Sequence, residues 1–261
     1  GLAEFALPAR GAARAAGGPP TFRPVALPAR WRCKNDGHPR LVTFAGRLHV
    51  LGFAMSCPPR SYSSLPRGFL ETFAGSVFQN YLWRWGTDAA APLAPEVPIT
   101  SWEPNYKNLL GFEHEGEAFL IASVAPHKVY RVDPGTGLMT EPYETATDIG
   151  KILCATIRLF VVALGGGPVR LDDGRLLVVA HTRNLSCNRM SFFYTFSASP
   201  PFRVLSATPM LSFGFSTSLE YVTQMDRVED DLLISMGIDD CSNTLLRVPI
   251  SYVLSKLVPL A

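Results

Sequence analysis

Val169-Arg-Leu-Asp-Asp-Gly-Arg-Leu-Leu-Val178 reads as a short apolar strand, an acidic–glycine turn and a second apolar strand. The same order of residue types occurs three more times: Leu41-Val-Thr-Phe-Ala-Gly-Arg-Leu-His-Val50, Gly111-Phe-Glu-His-Glu-Gly-Glu-Ala-Phe-Leu120 and Val222-Thr-Gln-Met-Asp-Arg-Val-Glu-Asp-Asp-Leu-Leu-Ile234. Gly and Asp at the turn centres tolerate the backbone angles of a tight hairpin, and the flanking Val, Leu, Ile and Phe favour strands. The turns fall near Gly46, Gly116, Gly174 and Asp230, at steps of about 70, 58 and 56 residues, a spacing that suits a repeated blade. The expected fold is therefore all-β, a β-propeller with four strands per blade.

Working outward, residues 1–20 are rich in Ala, Gly, Pro and Arg and form a biased N-terminal segment without a core-forming pattern. Residues 21–261 are read as one propeller domain. Thr21–Cys33 reads as an edge strand with prolines, and four clear units follow it. This predicts five blades, the first incomplete, with a four-bladed ring as the alternative. Ser76–Trp85 alternates as a half-buried outer strand. Asp133-Pro-Gly-Thr-Gly137 marks a further hairpin. The tail Ile250–Leu257 has apolar residues at helical spacing and predicts a short C-terminal helix.

Composition narrows the function classes. The chain is 47% hydrophobic and 18% charged with a net charge of +2, a folded globular balance that gives no reason to expect a nucleic-acid partner. No run of eighteen apolar residues occurs, so no membrane span is expected; Ile152–Leu164 is broken by Arg158 and reads as buried strand. The five cysteines contain no CxxC pair, so no metal site is expected. Gly165-Gly-Gly-Pro168 fits neither GxGxxG nor a P-loop. The chain does not begin with Met, and its first residue is read as an internal position of a longer product. Asn184-Leu-Ser186 is a glycosylation sequon, which matters only in a secreted chain.

A propeller gathers chemistry at the end of its central axis. In each unit the strand after the turn ends in polar or ionisable groups: Ser56, His127, His181-Thr182 and Asp239-Asp240. Equivalent strands around an axis would bring His181 and Asp240 together although they are 59 positions apart. An acidic turn explains Asp239 equally well. Asn35-Asp-Gly-His-Pro-Arg40 and Tyr106-Lys-Asn108 place charge and amide groups just before strands, where Lys and Arg suit anions or hydroxyls and would otherwise be solvated loop charges.

On these residues the chain resembles the β-mannoside phosphorylase family and related glycosidases, the glycoside hydrolase family 130 type. Lys107-Asn108 before an apolar hairpin resembles that family's Lys-Asn-Trp motif. Pro39-Arg40-Leu41 is similar to its Glu-Asp-Pro-Arg strand entry. Gly167-Pro168-Val169 through His181 resembles its Gly-Thr-Pro-Pro…Tyr-His-Gly stretch, Phe193–Phe202 its Pro-Pro-Phe turn, and Met236–Cys241 its closing Tyr-Gly-x-x-Asp motif. The resemblance spans about Asn35 to Leu257 and implies a five-bladed propeller acting on an oligosaccharide or other glycan. It implies no bound cofactor, with inorganic phosphate as co-substrate: one acid protonates the glycosidic oxygen while phosphate attacks the opposite face, so a second catalytic carboxylate is not needed. It also implies that Arg40 and Lys107 bind anion, and that Asn108, His181 and Asp240 bind substrate. The chain departs from the pattern where it matters most. His38 stands where the family has its acidic Asp, with Asp36 two residues earlier, and Leu109 replaces the motif Trp. An imidazole can serve as a general acid. The expected activity is a glycoside phosphorylase or hydrolase with His38 or Asp36 as the catalytic acid. The rival readings are a non-catalytic glycan-binding or scaffold propeller, and an accessory domain of a longer glycosyltransferase-type polypeptide.

Overall fold

The computed structural model describes residues 37–55, 78–84, 97–99, 108–140, 142–152, 161–183, 189–216, 219–239 and 241–260. Nearly all of them lie in antiparallel β-sheets. The first sheet is a meander of β1 (Gly37–Phe44), β2 (Arg47–Met55), β3 (Phe78–Arg84) and the short β4 (Val97–Pro98). The second runs through β5 (Leu110–His114), β6 (Glu117–Val124), β7 (His127–Val132) and β8 (Tyr143–Thr145). The third contains β9 (Val161–Arg170), β10 (Leu176–Arg183), β11 (Arg189–Phe196) and β12 (Val204–Ala207). The fourth contains β13 (Glu220–Val228), β14 (Asp231–Ile238) and β15 (Ser242–Pro249). The chain's last strand, β16 (Val258–Pro259), returns to pair with β12 of the third sheet. Two short helices complete the described elements, α1 (Ile149–Ile152) and α2 (Ile250–Leu254). The second is the helix expected from the tail; the first falls at the start of the stretch read as buried strand.

The four quoted hairpins are the first two strands of the four sheets. In the first two sheets, paired left-handed residues make the turn, Ala45-Gly46 (φ 49° and 69°) and Glu115-Gly116 (φ 51° and 77°). Two successive positive φ values define the turn whose twist matches a right-handed hairpin. The hairpin expected at Asp133–Gly137 is also present. Asp133 Oδ1 accepts the Gly135 amide at 2.7 Å, and the Gly137 amide donates to Asp133 O at 2.7 Å.

The sheets are arranged as blades around one axis. Their first strands touch in sequence around a ring: β1 with β5, β5 with β9, β9 with β13, and β13 with β1. The described units thus comprise four blades. The second strands of the second and third sheets are packed on both faces, which explains their unbroken apolar runs. In β6, Phe119 and Ile121 face the third blade while Ala118 and Leu120 face the first. In β10, Leu176, Val178 and Ala180 face the second blade while Leu177 and Val179 face the fourth. The second–third interface is the most aromatic, with Phe112, Phe119, Phe196 and Phe202 in edge and stacked contacts. Burying each such ring contributes about 2–3 kcal/mol.

The hub is tight enough to need glycine. A Cβ on Gly166 of β9 would lie 2.7 Å from the Met225 amide nitrogen and 2.8 Å from the Gln224 carbonyl carbon, both backbone atoms of β13. Gly166→Ala must therefore push two inner strands apart. We expect it to cost about 2 kcal/mol, read as a lower denaturant midpoint with an unchanged m-value; an unchanged midpoint would mean the inner strands are looser than described.

Candidate functional site

The strand directions set where functional groups can gather. In every blade the first strand begins opposite the end of the second: Gly37 pairs with Phe53, Leu110 with Ile121, Val161 with Arg183 and Glu220 with Ile238. Of the residues singled out from the sequence, Arg40, Asn108 and His181 are described near this end. Asp36, Lys107 and Asp240 fall outside the described residues. His38 lies in β1, but its side chain falls outside the described set. Arg40, Asn108 and His181 are described, and all three are buried, at 5%, 8% and 7% exposure.

Arg40 leaves β1 and crosses the axis. Its Nη1 donates to Gly165 O and, at 3.1 Å, to Thr223 O; Nη2 donates to Leu164 O at 3.1 Å. One side chain thereby ties the first blade to the inner strands of the third and fourth. Its Nε–H is buried and meets no acceptor. No described carboxylate pairs with the guanidinium, and burial pulls its pKa down to about 9. It still carries its charge at neutral pH. The arrangement leaves Nε–H and one Nη2–H for a further acceptor.

The same end holds the other two. His181 in β10 sits opposite Ala163 of β9, next to the Leu164 carbonyl that Arg40 engages. Asn108 precedes β5 with a left-handed backbone, φ 67°, and its Oδ1 is buried without a donor. Asparagine tolerates that conformation better than most side chains. Two of the three described site residues thus carry an unfilled hydrogen-bonding atom at this end, Arg40 as a donor and Asn108 as an acceptor.

One residue there was missed in the sequence. Glu220, the first residue of β13, is 4% exposed. Its carboxylate accepts from the amides of Phe213 at 2.9 Å, Ser216 at 2.8 Å and Phe215, and from Ser212 Oγ at 3.2 Å. It folds loop 212–216 onto the end of the fourth blade, where Ser216 Oγ donates to Asp239 Oδ1 at 2.6 Å. The signal was a glutamate at the first position of the strand, just after a serine-rich loop. Asp239 itself is turn-forming, with φ 51°.

His127 is a different case. The sequence placed it at the end of a strand pointing to the cavity. In the structure β6 stops at Val124, and His127 opens β7 inside the core. It is fully buried, its Nδ1–H donates to Phe202 O at 2.9 Å, and its ring meets Tyr194 edge-on at 5.7 Å. It belongs to the packing between the second and third blades. Among the described residues no group of three or more His, Cys, Asp or Glu could hold a metal ion, and no helix is long and apolar enough to cross a membrane.

Blade-like antiparallel sheets around a common axis define a fold of the β-propeller kind. The solved structure of β-1,2-mannobiose phosphorylase from Listeria innocua, in complex with β-1,2-mannobiose, superposes with a TM-score of 0.58 at 16% identity, over 85% of this chain and 60% of that one. At that identity the likeness is one of fold, and this chain spans 60% of the length of that protein. A hypothetical protein from Leishmania major (TM-score 0.49, 8% identity, 82% of this chain and 67% of that one) and a glycosyl hydrolase from Bacteroides ovatus (TM-score 0.41, 10% identity, 87% of each chain) overlap less well. No family model matches the sequence, and no curated protein matches it.

Proposed function

We propose that the protein binds a glycan, of the manno-oligosaccharide class, at the strand-start end of its axis. The observation that carries the reading is the convergence there of Arg40 and Asn108 with an unspent donor and an unspent acceptor, beside His181. Sugar hydroxyls both donate and accept, so they suit such a mixed set. The fold likeness to a protein solved with β-1,2-mannobiose supports the choice of ligand. In this reading Asn108, His181 and Asp240 contact hydroxyls, while Arg40 and Lys107 supply positive charge for phosphate or for sugar oxygens. As an enzyme it would protonate the glycosidic oxygen from His38 or Asp36, with phosphate or water attacking from the opposite face. His38 at the acid position favours the second reading, a glycan-binding propeller without turnover. The five-blade count belongs to the same proposal: a fifth unit would stand between the fourth and first blades.

Calorimetry against a panel of manno-oligosaccharides, with and without phosphate, tests it. Binding with release of a sugar phosphate or of a reducing sugar supports the enzyme, and binding with neither the non-catalytic form; no binding to any member sinks both. Asn108→Gly is the cleanest probe, because glycine accepts the left-handed backbone while Oδ1 is lost. We expect roughly tenfold weaker glycan binding, the equivalent of one hydrogen bond, with the unfolding midpoint unchanged.

A further inference from the structure

The end of the axis that holds Arg40, Asn108 and His181 also carries an exposed aromatic ring. Ala163, His181, Ser191 and Leu211 form one row across the third blade, closed by reciprocal backbone bonds of 2.8 Å between Ser191 and Leu211. The chain leaves this row at Leu211 and enters the fourth blade at Glu220, the first residue of β13. Loop 212–216 therefore lies at the strand-start end, between the third and fourth blades. Phe215 stands in it with 46% of its surface exposed. The other exposed aromatic ring among the described residues, Tyr252, belongs to α2 at the opposite end and has Lys256 Nζ 5.3 Å from its centroid.

A single exposed apolar side chain is ordinary on a protein surface. Phe215 differs in how its backbone is held. The buried Glu220 carboxylate accepts the amides of Phe213, Phe215 and Ser216 together with the Ser212 hydroxyl. Ser216 Oγ is tied in turn to Asp239 Oδ1, and Gly214 supplies the left-handed backbone, φ 81°, just before the ring. Phe213 packs against the core between the third and fourth blades. One phenyl of the loop is thus anchored inward, and the other is presented outward on a fixed backbone. A loop ordered in advance removes that ordering cost from binding, and a phenyl with two χ angles adds little to it. A flat apolar ring beside hydroxyl-binding groups suits a pyranose. Such a sugar turns axial C–H bonds to one face, which the negative face of the phenyl attracts, and carries hydroxyls at its rim. We propose that Phe215, held in place by Glu220, is the stacking platform of the glycan site. One sugar ring of the oligosaccharide lies against the phenyl while hydroxyls reach the polar groups at the axis.

The platform rests on the glycan reading, and calorimetry of the full chain with β-1,2-mannobiose and the other manno-oligosaccharides of the panel keeps the two apart. Phe215→Ala is expected to bind about fivefold more weakly than the parent, with an unchanged unfolding midpoint because the ring is exposed. Phe215→Leu keeps apolar bulk without a π face and should fall with the alanine variant. Phe215→Trp should bind at least as tightly as the parent. Glu220→Gln tests the positioning role. It should weaken binding by about threefold in the parent and leave binding unchanged in a Phe215→Ala background. Equal losses in both backgrounds would overturn positioning by Glu220, since a general loosening of the fold weakens both alike. A parent that binds while Phe215→Ala or Phe215→Leu binds equally well overturns the platform and leaves the glycan reading standing. A parent that binds no member overturns both.

Discussion

Arg40→Met is expected to lower the unfolding free energy by about 3 kcal/mol. Three buried carbonyls, at Leu164, Gly165 and Thr223, lose a charged donor together, each worth about 1 kcal/mol net. Relief from burying an unpaired charge offsets part of this, since burial disfavours the charged guanidinium and pulls its pKa down to about 9. The carbonyls win because the thioether that replaces the guanidinium donates nothing. Arg40→Lys keeps the charge without the planar fork, and should fall between the two. Denaturant titration of the three proteins gives the order directly. A methionine variant as stable as the parent would show that the guanidinium does not hold the hub together.

The second large effect is a loss of stability in acid, carried by His127. Burial holds its folded-state pKa down to about 4, against an ordinary 6.5. The hydrogen bond to Phe202 O works the other way but does not compensate. The unfolded chain therefore takes up a proton at a pH where the native imidazole refuses it. This group's stability is complete above about pH 6.5, falls as the pH drops below that, and is lost in full once the pH passes about 4. A shift of that size amounts to about 3 kcal/mol. His127→Phe should flatten the stability profile between pH 7 and 4 relative to the parent, while costing about 1 kcal/mol at pH 7 through the orphaned Phe202 carbonyl. Equal slopes in the two proteins would show that other groups govern the acid transition.

How much of this was legible in advance depends on the range of the interaction. The hairpins at Gly46, Gly116, Gly174 and Asp230 were readable because a turn and its two strands are set by neighbouring residues. The apolar runs in β6 and β10 were readable because strands packed on both faces leave no polar alternation. His127 misled because an imidazole in an apolar stretch looks alike whether it faces a core or a cavity. Only its contacts with Phe202 and Tyr194 distinguish the two. Glu220 was missed because its partners are backbone amides of a loop, which leave no mark in side-chain pattern.

The sequence by itself determined the repeating hairpin and its spacing, since local turn chemistry and hydrophobic pattern encode both. Only the tertiary structure decided that Arg40 spends itself on carbonyls of the third and fourth blades, that Gly166 must be small, and that no apolar core joins the first and fourth blades among the described residues. Those features depend on groups more than fifty residues apart along the chain meeting across a narrow axis, where a fraction of an ångström of backbone separation decides what fits.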